Sequence, residues 1–314
     1  MTTEMIFSVI FCIFFLTVFV IDLFFTGRRK DKIEVRTALQ WTGVWISTAM
    51  IFGVMIYFHF PQGQEKALEF FASYLIEYSL SVDNLFVFIM IFTVMGIKDK
   101  HQPRILKWGI IGAIVLRIIF ITGGITLIQH FKFMIYIFGL ILIYTAYKML
   151  TSTDEQIEPE KNICVIIAQK ICKIDACAET DHFFIRDKKN IYGTCALITL
   201  VLVESTDVIF AVDSIPAVLA ITHDPFIAIT SNLFAILGLR SLFFALAGIL
   251  NLFRFLKYGI SVILCFVGVK MLISGVMHIP VQASLGVIII CLAISIIASV
   301  LIKAEEESSP DSAV

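Results

Sequence analysis

The sequence predicts an all-α polytopic membrane protein with about nine transmembrane helices. Spans 3–5 and 6–8 form an inverted repeat of three plus three. Three observations carry this reading. Hydrophobic residues make up 59% of the 314 residues and charged residues only 16%, whereas soluble domains sit near half and a quarter. Nine mostly apolar windows approach or exceed the roughly 20 residues that a bilayer crossing needs. Three successive windows in one half also match three in the other.

The windows run over 5–25, 39–60, 71–96, 105–129, 133–150, 194–221, 226–250, 256–276 and 284–302. Hydrocarbon offers no partner to a free amide or carbonyl, so each window is expected to be a helix. The first is expected not to be a cleavable signal. Its N-terminal flank holds Glu4 and no Lys or Arg, and a signal begins basic. The cluster Arg28, Arg29, Lys30, Lys32 and Arg36 follows it instead. This places the N-terminus outside and the C-terminus in the cytoplasm. The other basic residues agree. They gather at 98–107, 148–189 and 254–257 and at Lys303, while the opposite segments hold only Lys66, Lys132 and Lys270. One transmembrane domain, 1–303, is expected, with repeat A over 69–150, a cytoplasmic loop over 151–193 and repeat B over 194–276. Residues 304–314 are a polar tail. The lipid bilayer is the expected surrounding, and no nucleic-acid partner is expected.

The loop has its own pattern. Ile163, Ile166, Ile167, Ile171 and Ile174 fall at helical spacing with Lys161, Lys170 and Lys173 between them. That predicts an amphipathic helix on the inner membrane face. "FFIRDKKNIYG" reads as a short hairpin. Cys164, Cys172 and Cys177, with His182 nearby, fit no standard zinc spacing and are expected as free thiols. The four other cysteines sit in spans as small apolar residues.

The repeat is read from three matches in order. "EYSLSVDNLFV" at 77–87 aligns with "DVIFAVDSIPA" at 207–217, "LRIIFITGGI" at 116–125 with "LRSLFFALAGI" at 239–249, and "YKML" at 147–150 with "VKML" at 269–272. Glu77 then matches Asp207, Asp83 matches Asp213, Asn84 matches Ser214 and Arg117 matches Arg240. Three spans per unit make the two copies cross in opposite senses. That is a recurrent plan of secondary transporters, whose sites lie near the midplane and often use broken helices. Pro216 is expected to break span 6.

Five carboxylates (Glu77, Asp83, Glu204, Asp207, Asp213) and two arginines (Arg117, Arg240) lie at membrane depth. Each costs about 3 kcal/mol on insertion scales. Salt bridges locking helices together are the simplest account of Arg117 and Arg240. Two bases cannot neutralise five acids, so the excess calls for protons, metal ions or both. The nearby ligands are carboxylates, the amides of Asn84 and Asn232, and the hydroxyls Ser81, Ser214, Thr230 and Ser231. The six histidines fall in loops or at span ends. An oxygen-only set suits Mg²⁺, Ca²⁺ or Mn²⁺ over Zn²⁺ or Cu⁺.

"SVDN", "ESTDVIFAVDSIPAVLAIT", "DPFIAITSNLFAILGLRSLFFALAG" and "LKYGISVILCFVGVKMLI" together resemble the TerC/Alx family of bacterial membrane proteins, from about Glu69 to about Leu301. The family is named for tellurium resistance and is associated with Mn²⁺ export and metal homeostasis. The resemblance implies a protein of the bacterial inner membrane, Mn²⁺ as the transported ion with no permanently bound cofactor, and the acids of spans 3 and 6 as the metal path. The expected ligands are then Glu77, Asp83, Asn84, Glu204, Asp207, Asp213 and Asn232, with Arg117 and Arg240 as structural ion pairs. The chain is expected not to be an enzyme. An intramembrane aspartyl protease needs a Gly-x-Gly-Asp context that "LSVDN" and "FAVDS" lack. The alternative to transport is a non-transporting membrane assembly or a metal- or stress-sensing protein.

Overall fold

The structure is a computed structural model. It describes Phe11, Thr17 and residues 35–151, 162–171, 174–175, 182–187, 190–246, 255–277 and 279–301. In chain order the elements are α1 (Val35–His59), α2 (Gly63–Val94), α3 (Gln102–His130), α4 (Met134–Thr151), α5 (Ile163–Ile171), β1 (Ile174–Asp175), β2 (Phe184–Asp187), β3 (Asn190–Thr194), α6 (Cys195–Leu219), α7 (Pro225–Leu246), α8 (Leu256–Ile273) and α9 (Val281–Leu301). Among the described residues, seven helices (α1, α2, α3, α4, α6, α8 and α9) are long and apolar enough to cross a membrane, and α7 has a shorter apolar run, Pro225–Leu239. The polytopic all-α architecture is therefore as expected. α1 to α4 and α6 to α9 occupy the second to ninth windows. Of the first window, Phe11 is buried against the rings of Phe52, Phe226 and Phe234. The rest of it lies outside the described residues, except Thr17, and so does the tail.

Local chemistry sets the helix ends. The Asp224 Oδ1 atom accepts the amide of Phe226 at 2.9 Å and of Ile227 at 3.4 Å, and Pro225 needs no partner in the first turn. Thr194 caps α6 through Leu197 N. Gly96, at φ +62°, takes the left-handed conformation that stops α2. Inside the helices, hydroxyls such as Thr42, Thr93 and Thr122 bond back to carbonyls one turn earlier. This keeps them satisfied where no water reaches. α6 continues through Pro216 to Leu219, so the break expected there does not occur. The proline sits in the last turn, where only one helix bond is lost. α2 is also continuous.

α2 lies at the centre, with α1, α6, α7 and α9 packed on it. About two-thirds of its most apolar stretch is buried, against 17% for α9. α3 packs on α6 and α7, and α4 packs on α8. The start of α2 meets the end of α6, since Thr222 Oγ1 donates to Glu69 Oε2 at 2.7 Å, so these two helices run antiparallel. α4 and α8 are antiparallel too. Gly139 packs on Gly268 backbone to backbone, and Ser261 Oγ donates to Ala146 O at 2.8 Å.

The loop forms the expected hairpin, β2 antiparallel to β3 with Asp187 opposite Asn190, and β1 adds in parallel on the other edge of β3. α5 fills part of the predicted amphipathic segment. Asn162 caps it through Cys164 N and ties it to α6 by donating to Ser205 Oγ at 3.0 Å. Cys164 is free and exposed. Cys172 and Cys177 lie outside the described residues.

The α4–α8 contact is testable. A Cβ on Gly268 would stand 2.8 Å from Gly139 O, whereas one on Gly43 would meet nothing within 4 Å. Gly268→Ala should lower stability by about 1–3 kcal/mol, read as a lower melting temperature in detergent. Gly43→Ala should leave it unchanged.

Candidate cation site

α2, α3, α6 and α7 all contribute polar side chains to a single buried point. At its centre is Arg117 of α3, 1% exposed. Its Nη1 donates to Glu77 Oε1 of α2 and, at 3.1 Å, to Asn232 Oδ1 of α7. Its Nη2 lies 3.8 Å from Asp207 Oδ1 of α6. Asn232 is oriented by donating its amide to Ala228 O at 3.0 Å. Ser81 Oγ donates to the same Glu77 oxygen at 3.1 Å. The two contacts within a helix follow from its spacing: Glu77 and Ser81 are one turn apart on α2, and Asn232 bonds one turn back along α7.

Glu77 is fully buried and Asp207 is 6% exposed. Each keeps one buried carboxylate oxygen without a partner, Glu77 Oε2 and Asp207 Oδ2. One guanidinium thus faces two carboxylates, each with an open oxygen. Buried polar atoms are nearly always satisfied, so an orphan oxygen asks for a water or an ion. A small cavity of about 20 Å³ adjoins Asp207, lined otherwise by apolar side chains and by Gly109 and Ala113 of α3. That is room for about one water molecule.

Of the sequence-predicted residues, Glu77, Arg117, Asp207 and Asn232 converge here. Asn84 is buried two turns along α2 from Glu77. Glu204 is one turn before Asp207 on α6, and its carboxylate fills the place a Gly112 side chain would take. Asp83 and Asp213 lie within α2 and α6 and Arg240 within α7, with side chains outside the described residues. From the sequence, Arg240 is expected to pair with a carboxylate of α6 or with Glu77; Glu77 is held by Arg117. Among the described residues, no group of three or more His, Cys, Asp or Glu side chains is arranged to hold a metal. In this state the acids hold a guanidinium instead.

Two features escaped the sequence. Gly112 is needed to admit Glu204, and a lone glycine in an apolar run gives no sign of that. At the α2 start, Lys66 Nζ bridges Glu69 Oε2 at 3.2 Å and Asp224 Oδ2 at 3.1 Å. The signal there was the i, i+4 series Glu69, Ser73, Glu77, Ser81. Beside this bridge, His223 is pushed below its ordinary pKa by desolvation; Glu69 opposes the shift, and Lys270 and Lys66 add to it.

A family model described as the integral membrane protein TerC family matches residues 62–307. The chain belongs to the TerC family. Among its relatives is "Putative membrane-bound redox modulator Alx" of Escherichia coli (strain K12), 44% identical over 276 residues, covering 85% of this chain and 86% of that one. The "Uncharacterized membrane protein STKORF319" of Myxococcus xanthus is 41% identical over 301 residues, covering 96% and 93%. An uncharacterized membrane protein of Rickettsia bellii is 37% identical over 295 residues, covering 94% and 97%. No solved structure matches the chain at a significant level.

Arg117→Leu would strand Glu77 as an unpaired buried charge. The expected loss is about 3–5 kcal/mol, seen as a lower melting temperature and less monodisperse protein. Glu77→Gln in the same chain should restore part of the loss. No restoration by either Glu77→Gln or Asp207→Asn would show that the guanidinium is not balanced by these acids.

Proposed function

We propose that this TerC-family protein is a secondary transporter, not an enzyme, that exports a divalent metal ion through the buried acids of α2 and α6. Mn²⁺ is the best candidate, and protons are the counter-ion. The observation that carries the reading is the open oxygens of Glu77 and Asp207 around one guanidinium. Arg117 neutralises one of these two carboxylates and leaves the other to a movable cation. Ligands from α2, α6 and α7 are all oxygens, the set that Mg²⁺, Ca²⁺ and Mn²⁺ prefer. The family resemblance favours Mn²⁺ among them.

The reading includes nine spans, an inverted 3+3 repeat, an outside N-terminus and a place in the bacterial inner membrane. The pairing of helices supports the repeat. Helices that match in sequence, α2 with α6 and α4 with α8, run antiparallel. The contact Gly139–Gly268 also has its counterpart in Ala146–Ser261 when each residue is replaced by its repeat mate. An exchange of ions between two such halves is alternating access. Asp83, Asp213 and Glu204 complete the metal path in this proposal, with Asn84 beside them.

Relatives named as redox modulators keep a second reading in view, a membrane assembly or sensing protein. The free cysteines Cys164, Cys195, Cys265 and Cys291 could serve redox chemistry. They are not gathered at the acids, so that reading leaves the buried charge unexplained.

Vesicles holding the purified protein and a pH-sensitive dye separate the readings. With the membrane potential clamped, a Mn²⁺ gradient should drive metal flux and an opposite pH change. Asp207→Asn should abolish both, because the amide keeps the size but loses the charge that offsets a dication. Metal flux without a protein-dependent pH change would remove the proton from the proposal. No flux of any divalent ion would leave the assembly or sensing role.

A further inference from the structure

α2 carries a polar face that the Arg117 point does not use up. Glu69, Ser73, Glu77 and Ser81 recur at i, i+4, with Asn84 next, a stripe about 22 Å long at 1.5 Å per residue. Ser73, Glu77 and Ser81 are fully buried and the Glu69 side chain is 12% exposed. Ser73 is the telling member. Ser79 of the same helix bonds back to Leu75 O at 2.5 Å, the usual refuge of a hydroxyl in an apolar helix. Ser73 Oγ makes no bond at all although it is buried. It sits one turn from Glu69 and one turn from Glu77, on the face joining them.

The two ends of this stretch are built alike. Near the midpoint, Arg117 bridges Glu77 of α2 and Asn232 of α7. At the helix starts, Lys66 bridges Glu69 of α2 and Asp224 beside the first residue of α7. Glu69 and Glu77 are eight residues apart, and so are Asp224 and Asn232. The parallel helices α2 and α7 are thus joined by two cationic rungs about 12 Å apart. Asp224 uses Oδ1 to cap α7 and only Oδ2 to hold Lys66. Thr222 Oγ1 donates to the Glu69 oxygen that Lys66 also holds.

We propose that Glu69 and Asp224 form a second cation station at the end of the path, and that the Lys66 ammonium is a tethered cation that occupies it and holds this end shut when no metal is there. The inference rests on the transport reading. A dication arriving past Ser73 displaces the ammonium, since both need the same two oxygens. Losing the rung frees the start of α2 from the α6–α7 loop and opens the way out. When the ion leaves, Lys66 returns.

The test measures access rather than flux. Ser73→Cys is placed in a chain whose seven natural cysteines are replaced, reconstituted in vesicles, and exposed to a membrane-impermeant maleimide on each side in turn. The parent should label slowly from both sides. Lys66→Ala should label faster from the Lys66 side alone, by about tenfold, the factor that about 1.4 kcal/mol represents. Lys66→Arg keeps a cation and should stay slow. Glu69→Gln changes no volume and should speed labelling as Lys66→Ala does, which guards against a folding defect in that variant. Added Mn²⁺ should slow labelling of Lys66→Ala, and should fail to do so once Glu69→Gln and Asp224→Asn are also present. Equal labelling of the parent, Lys66→Ala and Glu69→Gln overturns the tethered cation, even where metal flux is normal. Faster labelling that Mn²⁺ does not slow overturns the station. Expected labelling in vesicles that move no metal would sink the transport reading and leave a lock between α2 and α7.

Discussion

A guanidinium buried between four helices is the constraint on which the rest of the bundle depends. Arg117 cannot shed its proton, so its charge must be met wherever the helix puts it. Meeting it fixes α2 through Glu77, α6 through Asp207 and α7 through Asn232. A planar fork with donors in fixed directions sets how those helices turn about their axes. Apolar packing could not do this alone, because lipid tails are as apolar as leucine and give helices little reason to prefer one another. Small residues supply close approach elsewhere, as Gly139 and Gly268 do for α4 and α8.

That contact also bears on which parts move. α4 and α8 meet backbone to backbone, and close packing of this kind does not deform by degrees. The polar contacts are different in kind. They run between α2, α3, α6 and α7, depend on a few charge-assisted bonds, and include oxygens with nothing bound to them. If the halves rock, α4 and α8 are the natural pivot, and the polar helices are those whose relations change.

Much of this was legible in the sequence, for simple reasons. Long apolar runs must be helices in lipid, so α1 to α4 and α6, α8 and α9 were readable, as was the hairpin from its turn residues. Burial of Arg117 against acids followed from the cost of charge. What was not legible depends on which faces meet. The sequence could not tell that Glu77 pairs with Arg117 of the next helix, because both arginines were within reach of the repeat. It could not mark Gly112, whose role is only to leave space for Glu204. Pro216 suggested a break because proline usually disrupts an interior turn, but its place in the last turn of α6 makes it harmless. The i, i+4 series from Glu69 marks one face of α2, but no periodicity reports the partner of Lys66 across the bundle, Asp224, more than 150 positions away.

The difference between the two rungs is itself chemical. Arginine holds its charge on a rigid plane and can serve two acceptors at once, which suits a residue that must stay while other charges come and go. Lysine carries a compact charge on a flexible stem, bonds in no fixed direction, and is strongly hydrated. It can swing out of a half-buried place and be received by water at small cost. The buried rung at Glu77 therefore suits a fixed positioning role, with a carboxylate left over for an ion in the proposed transport. In the proposed transport, the partly exposed rung at Glu69 suits a cation that is displaced. Exchanging the two residue types would put the mobile cation where water cannot receive it, and the rigid one where release is required.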